Sequence, residues 1–125
     1  MFYTSYYAKI KALPDNAIPV SIAGKAPNGF NGIQYKKLAP KYSFFSVWKE
    51  THDNNYYIEH FISEVLDVLD VKQVVADLES FKKNKDSIIV LVCYEKSGDF
   101  CHRHLVANWL NENGYKCEEY EYENK

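Results

Sequence analysis

The sequence has 125 residues, of which 46% are hydrophobic and 16% aromatic, which suffices for the core of one domain. The formal net charge of −2 excludes the strongly basic surface typical of proteins that bind duplex nucleic acid. No apolar run approaches the ~20 residues of a membrane-spanning helix, and the amino-terminal residues lack a signal-peptide pattern. We expect one domain over residues 1–125, located in the cytoplasm, with no membrane partner.

The cysteine content favours the same compartment. The three cysteines are an odd number, and their spacing matches no small secreted disulfide scaffold. We therefore predict that all of them are reduced thiols, as is usual in the cytoplasm.

Strand and loop signals alternate in the first third of the chain. Aromatic and β-branched residues predict a first strand at FYTSYYA and a second at IPVSIAG. The Pro-, Gly- and Asn-rich segment KAPNGFNG predicts a loop. A short strand or extended arm follows at IQYKKLAP.

Helical periodicity dominates the middle of the chain. The segment YSFFSVWKE predicts a short helix, and apolar residues at helical spacing predict a second over residues 56–69. Asp70 with Gln73 resembles a capping box, so a third helix is expected, with an apolar face from Val71 to Phe81 and a stop at Asn84.

The carboxyl-terminal third predicts a strand, a helix and a strand. The continuous apolar run SIIVLVCY is typical of a strand in the middle of a parallel sheet. A helix over CHRHLVANWLNENG should end at Gly114, and YKCEEYEY predicts an edge strand. This order is a right-handed crossover unit. We predict a single Rossmann-like α/β domain whose mostly parallel sheet has helices on both faces.

Two of the three cysteines and two of the four histidines fall within CYEKSGDFCHRH, residues 93 to 104. Ligands of open α/β sheets bind beyond the carboxyl ends of the strands, where Cys93 should lie. With Asp99 as the N-cap, Cys101, His102 and Arg103 occupy the first helical turn. The unpaired amides and the helix dipole there favour an anion, and the arginine fork suits phosphate or carboxylate.

Catalytic roles can be assigned to four of these residues. A thiol in a first helical turn near an arginine should have a lowered pKa, so Cys101 is a candidate nucleophile. The helical wheel places His102 on the buried face and His104 in water. Cys93 could lie nearer to His102 than Cys101 does, and Glu95 could orient His102 or the arginine.

The stretch VCYEKSGDFCHRHLVANWLNENG resembles DUF488, a family of bacterial, archaeal and phage proteins. Its signature is an apolar strand ending in cysteine, then a glutamate, a short loop, and Cys-His-Arg opening a helix. This sequence matches it at Cys93, Glu95, Cys101, His102 and Arg103. TSYY and SIAGKAPNGFNGIQYKKLAP resemble the family's first two strand ends. The resemblance implies a Rossmann-like fold and no particular reaction.

The first two strand ends should contribute to the same pocket. Thr4, Ser5 and Ser21 could offer hydroxyl groups there. The segment GKAPNGF could close over the pocket and bring Lys25 near the ligand. These residues, together with Arg103, are the predicted ligand-binding set.

Structural roles compete with these functional ones. Cys93 and Cys101 could be buried structural thiols, His102 a core histidine bonded to a strand carbonyl, and Arg103 the partner of Glu95 or Asp99. Cys93, Cys101 and His102 could also bind a metal ion. We predict no metal or cofactor, because structural zinc sites more often use closely paired cysteines than this C-x7-C spacing.

The leading hypothesis is a small anionic, nucleotide-derived ligand at the carboxyl edge of the sheet, with Cys/His-based catalysis as one possibility. Three alternatives stay open. They are a non-catalytic nucleotide sensor or sequestering protein, an interaction or regulatory factor from a mobile element, and a structural metal site. The sequence is compatible with a homo-oligomer and does not decide whether the protein is an enzyme.

Overall fold

A parallel sheet forms the centre of the protein. The computed structural model describes residues 1–94 and 100–122. Its strands are β1 (Phe2–Tyr6), β2 (Ala17–Ser21), β3 (Ile33–Gln34), β4 (Ile88–Cys93) and β5 (Cys117–Glu119). They lie in the spatial order β3-β2-β4-β1-β5, and every pairing among the described residues is parallel. The predicted α/β fold is confirmed.

The α-helices follow the predicted helical segments closely, whereas the two 3₁₀-helices were not predicted, and both overlap segments predicted as extended. They are α1 (Tyr42–Thr51), α2 (Asn54–Phe61), α3 (Val71–Ser80) and α4 (His102–Glu112), with 3₁₀-helices at Tyr7–Ala12 and Lys36–Leu38. The predicted helix over residues 56–69 is α2 followed by a π-helical turn, Ile62–Leu66. No helix within the described ranges combines the length and the apolar character needed to cross a membrane.

The start of α3 differs from the predicted capping box. The Asp70 side chain accepts a hydrogen bond from the Lys72 amide, as an N-cap residue should. The Gln73 side chain donates to Asp77 at 2.9 Å, one helical turn onward, and does not bond back to the N-cap. One half of the capping box is therefore present.

Strand β4 lies in the middle of the sheet, as its continuous apolar run predicts. Residues 89–93 are all buried, because both faces of this strand are covered. Ile89, Leu91 and Cys93 belong to the core cluster that includes residues of α3 and α4. Val90 and Val92 point to the opposite face, because successive side chains of a strand alternate.

The two faces of the sheet are covered differently. The four α-helices contribute to the core on the face of Leu91. On the other face, Tyr7 at the start of the 3₁₀-helix is hydrogen-bonded to Ser21, and Tyr122 after β5 is hydrogen-bonded to Ser5. Helical segments thus lie on both faces, as predicted, and the second face also has tyrosine hydroxyls over buried serines.

Candidate functional site

A cavity of about 590 Å³ lies at the carboxyl ends of β2 and β4. Its floor is formed by Ala23 and Gly24 after β2, Cys93 at the end of β4, and Cys101 and His102 at the start of α4. This is the position at which open α/β sheets bind ligands. The structure therefore brings three of the four predicted catalytic residues together in one cavity.

Aromatic side chains form the wall of this cavity. Ring centroids of Trp48, Tyr57 and Phe100 lie 5.0 to 5.7 Å from one another, and the Trp48 indole N–H donates to Asn54 Oδ1 at 2.8 Å. The pattern of YSFFSVWKE predicted a helix, and the aromatic wall was not predicted. The density of aromatic residues in α1 was the signal that pointed to it.

Two lysines lie at the mouth of the cavity. Lys25 and Lys49 are exposed, and Lys49 Nζ lies 5.7 Å from the centroid of the Phe45 ring. The Tyr94 hydroxyl donates to the Lys25 carbonyl at 2.6 Å, which ties the segment after β2 to the end of β4. Lys25 was predicted as a ligand-binding residue, whereas Lys49 was not.

Cys93 and Cys101 are joined as a disulfide. This differs from the predicted reduced thiols, and the reason is topological. The chain leaves β4 and returns at the start of α4, so two cysteines separated by eight positions meet at the same sheet edge. Their Cα atoms are 7.4 Å apart. The remaining cysteine, Cys117, is free, and burial raises the pKa of its thiol to about 12.

The first turn of α4 begins at Cys101, which occupies the N-cap position. The predicted N-cap Asp99 and the predicted catalytic residue Glu95 lie outside the described residues. His104, predicted to face water, is partly buried, and this burial lowers the pKa of its imidazole.

His102 makes a structural contact through one ring nitrogen and lies beside Cys101 through the other. It is 6% exposed, and its Nε2 lies 2.7 Å from the Ile22 carbonyl oxygen. Because a carbonyl only accepts, Nε2 donates and the neutral ring keeps its lone pair on Nδ1. Burial and the nearby Arg103 charge lower the pKa of His102 to about 4, against the effect of the Ile22 hydrogen bond. Nδ1 lies 3.9 Å from Cys101 Sγ.

Arg103 is fully buried and holds two parts of the fold together. Its Nε and Nη2 donate to the two carboxylate oxygens of Glu119, each at 3.0 Å. Its Nη1 donates to Cys93 Sγ at 3.3 Å, and its guanidinium carbon lies 5.4 Å from the Tyr6 ring centroid. Arg103 is thus next to the cysteine cluster, behind the residues that line the cavity.

The predicted hydroxyl residues are not part of the cavity lining. Thr4 donates to Glu119 Oε1 at 2.5 Å and so belongs to the Arg103 network. Ser5 is 2.6 Å from the Tyr122 hydroxyl, and Ser21 is 2.5 Å from the Tyr7 hydroxyl. Both serines flank Val92 and share its face of the sheet, away from the helices.

Comparison with known proteins agrees with the sequence motif. A family model described as the active DUF488-N3 subclade (DUF488-N3a) matches residues 7–114, which include every cavity residue named above. Neither the curated proteins nor the solved structures compared with this chain gave a match. Because the family match spans far more than half of the chain, the protein belongs to the DUF488 family.

Proposed function

We propose that this protein binds a small anionic, nucleotide-derived ligand in the cavity and that the Cys93–Cys101–His102 cluster acts on it. One observation carries the proposal: a single cavity combines an aromatic wall, two lysines and a buried Cys/His cluster. Apolar cavities with a few converging polar groups are the usual form of small-molecule sites, and about 590 Å³ is within their usual range.

The aromatic wall suits a planar ring. The indole of Trp48 and the ring of Phe100 offer π faces on which a nucleobase can stack, and such stacking contributes about 1–3 kcal/mol per base. Trp48 is held in orientation by its hydrogen bond to Asn54, so little side-chain entropy is lost on binding.

The mouth of the cavity suits the anionic part of the ligand. Lys25 and Lys49 supply two positive charges, and Cys101 on the floor of the cavity is the N-cap of α4, an end of the helix that favours an anion. Arg103 is a positioning residue in this proposal, because its guanidinium contacts Cys93 and Glu119. From the sequence, by contrast, Arg103 was expected to contact the ligand directly.

Catalysis in this proposal requires the dithiol form of the cluster. After reduction, the Cys101 thiolate adds to an electrophilic C=O or C=N carbon of the ligand, so that the S–C bond forms, the π bond breaks and its electron pair moves to the heteroatom. The proton of the Cys101 thiol passes by way of His102 Nδ1 to that heteroatom. The helix N-terminus at Cys101 and the guanidinium beside Cys93 both favour a thiolate. A cytoplasmic location, where thiols are kept reduced, is part of the proposal. The matching family model is that of the active DUF488-N3 subclade, and this description supports catalysis.

A non-catalytic sensor is the second candidate, and the Cys93–Cys101 disulfide favours it. In the oxidised form neither sulfur is a thiolate, while the aromatic wall and the lysines remain available for binding. The sensor and the enzyme therefore differ in what happens to the ligand, and not in where it binds.

The test is mass spectrometry of small molecules released from native, tag-free protein. Wild type should release a phosphorylated or nucleotide-like species, and the Lys25→Ala/Lys49→Ala double variant should release much less. Trp48→Ala should weaken binding about 5- to 150-fold, the equivalent of one stacked base. Lys85→Ala is the matched control, because Lys85 is exposed and precedes the amino end of β4, about 20 Å from the cavity.

Equal amounts of a released species in wild type and both cavity variants would overturn the proposed site. Once the ligand is identified, incubating it with reduced wild type separates the two candidates. A product that Cys101→Ser does not form supports the enzyme. Recovery of unaltered ligand from wild type supports the sensor.

A further inference from the structure

We infer that reduced Cys93, Cys101 and His102 form a zinc-binding site with three protein ligands and a fourth position open to the cavity. One ligand atom from each residue lies within 4.8 Å of the other two, and all three side chains are buried. The site does not depend on which ligand the cavity binds. Because zinc would occupy Cys101 Sγ and His102 Nδ1, the zinc-bound cluster is an alternative to the free thiolate nucleophile of the proposed function. It differs from the sequence-based prediction that the protein has no metal.

The distance between Cys101 Sγ and His102 Nδ1 suits a tetrahedral metal centre, and the two sulfurs, which are bonded to each other in the oxidised protein, must separate on reduction. Zinc binds sulfur at about 2.3 Å and histidine nitrogen at about 2.0–2.1 Å, which places neighbouring ligand atoms roughly 3.6–3.8 Å apart. Cys101 Sγ and His102 Nδ1 are 3.9 Å apart. The Cα separation of Cys93 and Cys101 is 7.4 Å, whereas disulfides usually span about 4.4–6.8 Å. This backbone spacing leaves room for an ion between the sulfurs.

The orientation of His102 is that of a metal ligand. Histidines that bind metals usually donate the other ring N–H to a carbonyl or carboxylate, which sets the tautomer and the ring plane. Here Nε2 donates to the Ile22 carbonyl at 2.7 Å, and Nδ1 lies 3.9 Å from Cys101 Sγ. The hydrogen bond to Ile22 therefore leaves the lone pair on Nδ1, the nitrogen that would bind the metal.

The charges around the cluster also suit a bound divalent cation. Two thiolates balance one divalent cation, and the buried Arg103 is balanced by Glu119. The contact from Arg103 Nη1 to Cys93 Sγ at 3.3 Å supports a thiolate at that position. Two sulfurs and one imidazole nitrogen are a ligand set that favours zinc over magnesium or calcium.

The number of ligands indicates a catalytic type of site. Within residues 1–94 and 100–122, the cluster offers three ligand atoms. Structural zinc sites use four protein ligands, whereas catalytic sites use three and leave one position for water or substrate. Cys93, Cys101 and His102 all line the cavity, so a ligand bound there would reach the open position.

Metal binding requires that the disulfide be reduced. A phosphine reductant transfers an electron pair to the S–S bond, takes oxygen from water to become a phosphine oxide, and leaves two thiols. Zinc then displaces one proton from each thiol, so two protons are released per ion bound. The oxidised protein should therefore bind no metal at this site.

The test is titration of the full, tag-free protein with Co²⁺, a coloured probe for zinc sites. Protein reduced with a phosphine and stripped with a chelator should bind one equivalent, with thiolate-to-cobalt charge-transfer absorption that Zn²⁺ abolishes. Cys93→Ser and Cys101→Ser should weaken binding by more than the roughly 10- to 100-fold that loss of an outer-shell partner costs. Cys117→Ser, which removes the free buried thiol, should leave the titration unchanged.

Two results would overturn the inference. One is the absence of charge-transfer absorption when reduced wild type is titrated. The other is a spectrum of Cys93→Ser and Cys101→Ser that equals that of wild type. Far-UV circular dichroism checks that each variant is folded. If a variant does not fold, reduced and oxidised wild type supply the comparison, because equal binding by both forms would exclude these sulfurs as ligands.

Discussion

Arg103 and Glu119 form a two-point ion pair between the start of α4 and the edge strand β5. Both nitrogen–oxygen distances are 3.0 Å, and the arginine side chain has no exposed surface while that of Glu119 is 28% exposed. A third nitrogen of the same guanidinium donates to Cys93. One side chain thus joins the edge strand, the helix start and the sulfur cluster.

Removing that arginine should be costly. We expect Arg103→Ala to lower the free energy of unfolding by about 3 kcal/mol, the low end for a broken buried pair because Glu119 is partly exposed. Urea denaturation measures the change. The control is Lys37→Ala, whose pair with Asp77 spans 3.5 Å with the lysine 58% exposed, and which should cost less than about 1 kcal/mol. Equal effects of the two substitutions would contradict this role of Arg103.

The number of free thiols shows directly whether Cys93 and Cys101 are paired. Oxidised protein that is unfolded and alkylated without reductant should gain one alkyl group, at Cys117, because Cys93 and Cys101 are paired. Protein reduced first should gain three groups. Folded, oxidised protein should react very slowly, because burial raises the pKa of the Cys117 thiol to about 12. Intact mass spectrometry reads all three states, and three groups without reduction would show that the pair is not formed.

Acid should destabilise the protein through His102. In the metal-free, oxidised protein the pKa of His102 is about 4, below its usual 6.5, so the unfolded chain binds the proton more readily. The contribution of the neutral His102 side chain to the free energy of unfolding is fully present above about pH 6.5. It falls by up to roughly 1.4 kcal/mol per pH unit as the pH drops towards 4. His102→Gln should flatten the profile of unfolding free energy in this window. Parallel profiles for the two proteins would argue against a buried neutral imidazole.

Any side chain at Gly114 should lower the stability of the protein. Its φ is +89°, and a Cβ added there would meet no atom within 4 Å, so the expected cost is conformational. We expect Gly114→Ala to lower the thermal midpoint, with a free-energy cost of about 1–2 kcal/mol. Gly24→Ala is the matched control, because its site is equally open and its φ lies outside the positive region. A larger effect at Gly24 would contradict the argument.

Several parts of the site follow from local sequence. The apolar run of β4 predicts a central strand, so Cys93 had to lie at its carboxyl end. The periodicity after residue 101 predicts a helix, which places Cys101, His102 and Arg103 at its start. The helical wheel correctly puts His102 on the buried face. The edge of the sheet at which a ligand would bind then follows from the rule for open parallel sheets, whereas the strand order was not predicted.

The sequence by itself therefore determined the elements, the parallel sheet and the position of the Cys/His cluster, because these depend on periodicity and chain order. The tertiary structure alone decided which side chains meet. It pairs Arg103 with Glu119, and it places Ser5 and Ser21 on the face opposite the helices. Such pairings depend on strand register and on packing between residues far apart in the chain. A single residue's shift in register would move a side chain to the other face of the sheet, and local patterns do not encode that choice.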